Sequence, residues 1–254
     1  MTIKIAVPKG KFINNLIENL EQTKEHYSIE LIYSKETDLP NLILNNDVDI
    51  ALMNPLNYGK ILELNPFKII PSTCIAAEGY SKLATIIFED NLAKIKSIAV
   101  PEKDSFLAIA TKIIYDEKYD FNINLIEQDS SASKSLTTYD AELSYEKDIE
   151  KTGTMDLTEE WTDYYESALP IAFWVASEKS NIEQMMQITR HLIKEDISDP
   201  EIISEQYQGK EISFERRGII HWNFHYELEK SIDDTLELLY QLNYLNLLSD
   251  SHIA

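Results

Sequence analysis

The stretch from Asp49 to Phe88, DIALMNPLNYGKILELNPFKIIPSTCIAAEGYSKLATIIF, constrains the fold more than any other part of the chain. Two compact apolar segments, Ile50-Ala51-Leu52-Met53 and Lys68-Ile69-Ile70-Pro71, flank Tyr58, Ile61, Leu62 and Leu64, which recur at helical spacing. The pattern predicts strand, helix, strand. Asn54-Pro55-Leu56-Asn57 makes the turn after the first strand, where Pro55 cannot donate to a ladder and Asn57 is placed to cap the helix. Polar groups therefore gather at a strand's carboxyl end, which is where open α/β sheets bind ligands.

The flanking sequence extends this alternation. Ile3 to Val7 reads as a first buried strand, Pro8-Lys9-Gly10-Lys11 as a turn, and Phe12, Ile13, Leu16, Ile17 and Leu20 as one helix. Gly10 then lies just ahead of a helix N-terminus, whose free N–H groups and partial positive charge, with Lys9 and Lys11 beside it, suit a carboxylate or phosphate. Ser28 to Tyr33 reads as a strand, Leu39 to Leu44 as a short helix, and Tyr80 to Phe88 as a long strand leaving this lobe, with Gly79 easing the bend. Further on, Ser97–Val100, Asn122–Glu127 and Tyr139–Tyr145 read as strands, and Asp104-Ser105 starts a helix. Thr158 is placed to cap another helix, Leu169–Ala176 returns as a strand, and Ile182–Ile193 reads as a helix. Pro200 is expected to open a short helix running to Tyr207, and a last helix is expected from Ser231 to Leu248.

Charge excludes whole classes of partner. The formal net charge is −21, so the summed field repels nucleic acid and anionic membranes, and an anionic small molecule needs a local positive pocket. Cys74 is the only cysteine, which rules out an intrachain disulfide and places the thiol at the end of an apolar strand. No apolar run approaches the roughly 20 residues that span a bilayer. The expected setting is cytoplasmic. His221, His225 and Glu229 are spaced by four, as metal ligands on one helix face would be, but Trp222, Phe224 and Tyr226 interleave with them and favour an aromatic packing segment. No metal and no organic cofactor is expected, since no phosphate loop, dinucleotide fingerprint or nucleophile elbow occurs.

Several segments carry a resemblance. Asp49-Ile50-Ala51-Leu52 followed by Tyr58, Ile75-Ala76 with Gly79, and Asp156-Leu157-Thr158-Glu159-Glu160-Trp161 leading to Leu169-Pro170-Ile171-Ala172-Phe173-Trp174 stand in similar order in the futalosine-route menaquinone-biosynthesis family. That family includes chorismate dehydratase and dihydroxynaphthoate synthase. The resemblance implies an α/β, two-lobed type II periplasmic-binding-protein-like fold, with mostly parallel sheets and helices on both faces. It places residues 1–88 and 172–254 in a discontinuous first lobe and residues 89–171 in an inserted second lobe. The opening Pro8-Lys9-Gly10-Lys11-Phe12 is also similar to the start of ATP phosphoribosyltransferases, but six glycines leave no place for their glycine-rich phosphoribosyl loop.

The topology leads to the expectation of a site in a crevice between lobes, formed by loops at strand ends. Lys9, Lys11 and Glu78 are the candidate catalytic residues; Gly10, Asn54, Ala76, Ala77, Gly79, Asp104, Ser105, Ser130 and Ser131 are the candidate ligand-binding residues. An elimination from a cyclohexadiene acid needs a base for one proton, assigned to Glu78, and stabilisation of the developing enolate, assigned to the lysines. The expected partner is a small anionic molecule, with no nucleic acid and no membrane. Relatives carry a tyrosine and an asparagine in the first loop and a serine after the Ile-Ala pair, where this chain has Lys9-Gly10-Lys11 and Ala77-Glu78. The second expectation is therefore a solute-binding protein that does no chemistry.

Overall fold

The computed structural model describes residues 2–10, 12–62, 64, 67–89, 94–128, 139–145, 153–177, 179–208, 213–248 and 250–254. The chain divides into two compact units, one of residues 1–77, 169–202 and 220–254, the other of residues 78–168 and 203–219.

The first unit is assembled around a sheet. In chain order it holds β1 (Ile3–Pro8), α1 (Asn14–Ile17), α2 (Leu20–His26), β2 (Ile29–Ser34), α3 (Leu39–Leu44), β3 (Ile50–Met53), α4 (Pro55–Leu62) and most of β4 (Phe67–Gly79). The second unit contributes β5 (Thr85–Phe88), β6 (Ser97–Val100), α5 (Phe106–Glu117), β7 (Asn124–Glu127), β8 (Ala141–Ser144), β9 (Thr154–Asp156) and α6 (Leu157–Tyr165). The chain then forms β10 (Leu169–Ser177), α7 (Ile182–Leu192), β11 (Glu201–Gln208), β12 (Ser213–Asn223) and α8 (Tyr226–Gln241). Strand order in the larger sheet is β11-β12-β4-β10-β3-β1-β2, and in the smaller one β7-β6-β8-β5-β9.

Each sheet has a parallel and an antiparallel part. β1 runs parallel to β2 and β3, and β10 runs antiparallel to β3 and β4. In the smaller sheet β6 is parallel to β7 and β8, while β5 is antiparallel to β8 and β9. β3 is buried at every position and β10 at all but its last, so both faces of the larger sheet are covered there, as period-two strands require when helices lie on each side. Their apolar runs lack alternation for that reason. Tyr58 sets its ring edge-on to Phe173 at 5.6 Å, and Trp174 Nε1 donates to Thr73 Oγ1 at 2.9 Å, which satisfies the one polar atom of a fully buried indole. The C-terminal residues complete this unit: the Ile69 amide donates to the His252 carbonyl at 2.7 Å, the Ala254 amide to the Ile69 carbonyl at 3.0 Å, and the His252 amide to Tyr58 Oη at 2.9 Å.

Several local expectations are corrected. The segment after Pro200 is strand β11, because Glu201-Ile202-Ile203 and its successors pair with β12; β-branched residues suit an extended ladder, and that outweighs the proline as a helix opener. The long outgoing strand is β4, which continues from Phe67 to Gly79, where φ is +63°; Ser81–Ala84 interrupts before β5. Phe12 to Leu20 is not one helix, since the chain breaks at Glu18 and Asn19 between α1 and α2. The last helix begins at Tyr226 and ends at Gln241. Asn54 rather than Asn57 caps α4: its Oδ1 accepts the Asn57 amide at 2.8 Å. Asp156 rather than Thr158 caps α6, accepting the Thr158 and Glu159 amides at 3.0 and 3.1 Å. No helix among the described residues is long and apolar enough to cross a membrane.

Candidate functional site

Register places three segments at one edge of the larger sheet. Met53 pairs with Phe173, which pairs with Cys74; Ala51 pairs with Ala6, so Pro8 reaches the level of Met53 two residues later. Lys9 and Gly10 after β1 and Asn54 after β3 therefore reach one edge within the first unit, and β4 passes the same level at Cys74 and runs on through Ala76 and Ala77. Lys9 and Gly10 are exposed there, and the Lys9 amide donates to the Ser34 carbonyl at 3.0 Å, which holds the start of this turn against β2. α1 is a single turn of four residues starting at Asn14, so the dipole expected beside Gly10 is small. Lys11, Ser130 and Ser131 lie outside the described residues.

Asn54 is 4% exposed, and its carboxamide is occupied. Oδ1 caps α4, Nδ2 donates to Glu36 Oε1 at 2.6 Å, and Asn57 Nδ2 donates to the Glu36 carbonyl at 2.7 Å. Glu36 thus ties the turn after β2 to the start of α4. Ala76 and Ala77 are buried in the ladder with β10, opposite Pro170 and Leu169.

The second unit holds the remaining candidates. Asp104 is exposed, and Ser105 is 4% exposed at the N-cap of α5, where its Oγ donates to the Glu102 carbonyl at 2.9 Å and accepts the Ala108 amide at 3.4 Å. They follow β6, whose carboxyl end also meets β7. The Gly79 amide donates to Thr162 Oγ1 at 2.9 Å, and Thr158 Oγ1 donates to the Gly79 carbonyl at 2.7 Å.

Sequence reasoning missed a dense polar cluster of this unit. Arg216 on β12 lies 4.0 Å above the Tyr80 ring and donates through Nε to Glu159 Oε1 and Oε2 at 3.2 and 3.0 Å, with Nη2 paired to the same carboxylate. Tyr80 Oη donates to Glu205 on β11, and Lys82 Nζ pairs with that carboxylate at 3.0 Å. Burial, with Glu205 second, pushes the Tyr80 phenol up, so it stays a neutral donor. The Tyr80 hydrogen bond in turn holds the Glu205 carboxyl below its usual range despite some burial. Asp156 beside them is 1% exposed; burial pushes its carboxyl up against opposing hydrogen bonds from Thr158, Glu159 and Lys82. The missed signal was the strand character of 201–208. Once β11 is extended, Glu205 comes within reach of Tyr80.

The histidine spacing is not helical in space. His221 belongs to β12 and His225 sits at the N-cap of α8, and among the described residues no group of three His, Cys, Asp or Glu side chains is arranged to hold a metal ion. Cys74 is fully buried, and burial pushes its thiol well up, as for a packing residue.

The architecture is similar to that of solved binding proteins. An ABC-transporter structure from Parabacteroides distasonis is 12% identical over 100% of this chain and 98% of its own, with a TM-score of 0.61. The periplasmic aliphatic sulphonate binding protein SsuA from Escherichia coli is 10% identical over 98% and 90%, with a TM-score of 0.59. The alkanesulfonate-binding protein SsuA from Xanthomonas axonopodis pv. citri, bound to MOPS, is 10% identical over 98% and 96%, with a TM-score of 0.57. These likenesses show the fold: an α/β fold of the periplasmic-binding-protein type. No curated protein sequence matches the chain. Residues 11–244 match the menaquinone-biosynthesis family, and the chain belongs to that family.

Proposed function

We propose that the chain is a carbon–oxygen lyase of menaquinone biosynthesis, similar to chorismate dehydratase and acting on a small carboxylated ring compound. Family membership supplies the pathway. The observation that carries the site is the gathering of the Lys9-Gly10 turn, Asn54 and the Ala76-Ala77 end of β4 at one edge of the first unit's sheet. An exposed ammonium there meets a substrate carboxylate by a charge-assisted hydrogen bond and offsets negative charge as an enolate develops. Lys9 and Lys11 take that role. Glu78 takes the ring proton and the electron pair left behind moves into the enolate. That pair then returns to form the new C=C bond as the ring C–O bond breaks, and the proton held by Glu78 passes to the departing hydroxyl, which leaves as water. Gly10, Ala76, Ala77 and Gly79 border the ligand with backbone groups. Asn54 acts by fixing the start of α4, and Asp104, Ser105, Ser130 and Ser131 enter the proposal from the sequence.

The second reading is a binding protein for a small anionic solute. It is favoured by Asn54, whose side chain is committed to Glu36 and α4, and by the departure from the family at Lys9-Gly10-Lys11 and Ala77-Glu78. Incubation with chorismate separates the two. Loss of its absorbance with a product lighter by one water supports the lyase, and Lys9→Ala is then expected to lower kcat/KM about a hundredfold. A raised melting temperature with no turnover supports the binder. Neither change in the presence of chorismate refutes it as ligand.

A further inference from the structure

Away from that sheet edge the first unit carries a second concavity. A groove of about 430 Å³ runs between α2 and α7, with His26, Arg190, His191 and Lys194 among its lining residues. Its size is that of a small-molecule site. The walls are fixed to each other: the Asn19 amide donates to the Leu192 carbonyl at 3.0 Å, Asn19 Nδ2 to the Ile193 carbonyl at 2.7 Å, and Thr23 Oγ1 to the His191 carbonyl at 3.0 Å. These bonds already satisfy the carbonyls at the end of α7, so the cations there are not needed to cap them.

The chain has three arginines. Arg216 pairs with Glu159 and Arg217 with Glu215, whereas Arg190 makes no ion pair among the described residues. In a chain of net charge −21, the arginine without a carboxylate thus lies in a groove with two of the five histidines. His191 Nδ1 is 2.6 Å from the Gln187 carbonyl oxygen, and its ring packs edge-on to Tyr27, which orients the imidazole and leaves Nε2 for another partner.

We propose that this groove binds a small molecule through an oxyanion of the phosphate or sulfate type. Arg190 supplies the forked donor and Lys194 a second cation, with His26 and His191 lining the groove beside them. Glu25 from α2 and Glu195 after α7 also line the groove, and Lys194 lies 4.0 Å from Glu18. The two lining carboxylates balance Arg190 and Lys194 in charge, so the selectivity for an oxyanion rests on the guanidinium fork of Arg190 rather than on net charge.

Inorganic sulfate is the first probe, with inorganic phosphate second. Titration of the full chain is expected to shift the His26 and His191 imidazole resonances to saturation. Arg190→Ala is expected to weaken sulfate about tenfold or more, the loss of a hydrogen-bonded charge, and to leave the melting temperature unchanged. Arg190→Lys is expected to restore only part of the affinity. Shifts that never saturate, or equal affinity in Arg190→Ala, overturn the proposal. A lower melting temperature at unchanged sulfate affinity overturns it too, and assigns Arg190 to stabilising the end of α7.

Discussion

Replacing Asp156 by alanine tests how the start of α6 is held in the second unit. The carboxylate accepts the Lys82 amide on Oδ2 at 2.7 Å, and on Oδ1 the Thr158 amide at 3.0 Å, the Thr158 hydroxyl at 2.6 Å and the Glu159 amide at 3.1 Å. Losing the helix cap costs about 1–2 kcal/mol. The Lys82 amide is then left without this acceptor next to a side chain only 1% exposed, which adds about 1–3 kcal/mol. The expected loss is about 2–5 kcal/mol in all. Urea unfolding followed by circular dichroism measures it, and hydrogen exchange locates it: amides of 157–165 are expected to exchange faster while those of α7 in the first unit hold. A loss under about 1 kcal/mol, or equal deprotection of α7, would refute the reasoning. The sign with pH is also fixed. Burial raises this carboxyl above its unfolded value, so its contribution is fully present below the unfolded pKa and is lost as pH rises through the folded one. The deficit of Asp156→Asn is therefore expected to shrink from acid to neutral pH.

Arg216→Ala removes both the paired guanidinium on Glu159 and the cation above Tyr80, and is expected to cost about 2 kcal/mol in urea unfolding; Arg216→Lys, which cannot reproduce the fork, is expected to recover less than half. Gly218→Ala places a methyl group 2.6 Å from the Glu78 carbonyl oxygen and nearer still to the Tyr80 backbone, so about 1–3 kcal/mol of overpacking is expected as a lower melting temperature. Asp140 is held below its usual range by the Lys96 amide and then, against slight burial, by Ser97; its contribution is present above the unfolded pKa and lost as pH falls through the folded one. Asp140→Asn is accordingly expected to flatten the decline in stability on acidification, measured as urea midpoints across the acid range.

Buried strands and amphipathic helices were the legible part of the chain. β1, β3 and β10 follow from short continuous apolar runs and α7 from helical periodicity, because tertiary packing there agrees with the local pattern. Caps were legible in kind and displaced in position. Asn54 and Asp156 stand at the ends of preceding strands, and which of two polar neighbours turns its oxygen onto the helix depends on the backbone angles at the junction. β11 was misread because its pairing partner stands several residues further on, and a proline at its start matched a helix rule. The sheet edge carrying Lys9, Asn54 and Ala76 could be anticipated from strand ends alone. The Arg216–Tyr80–Glu205 cluster could not, since it brings Tyr80 to residues 125 or more positions further along the chain.

The pairing of Ile69 with Ile253 bears on how the molecule is made. Synthesis proceeds from the amino terminus, yet the partner of that backbone position is nearly two hundred residues later. Residues 1–77 must leave the ribosome with a hydrogen-bonding edge still open and stay unfinished while the intervening chain is made. Closure of this unit thus waits until the segment that carries Ile253 has been made.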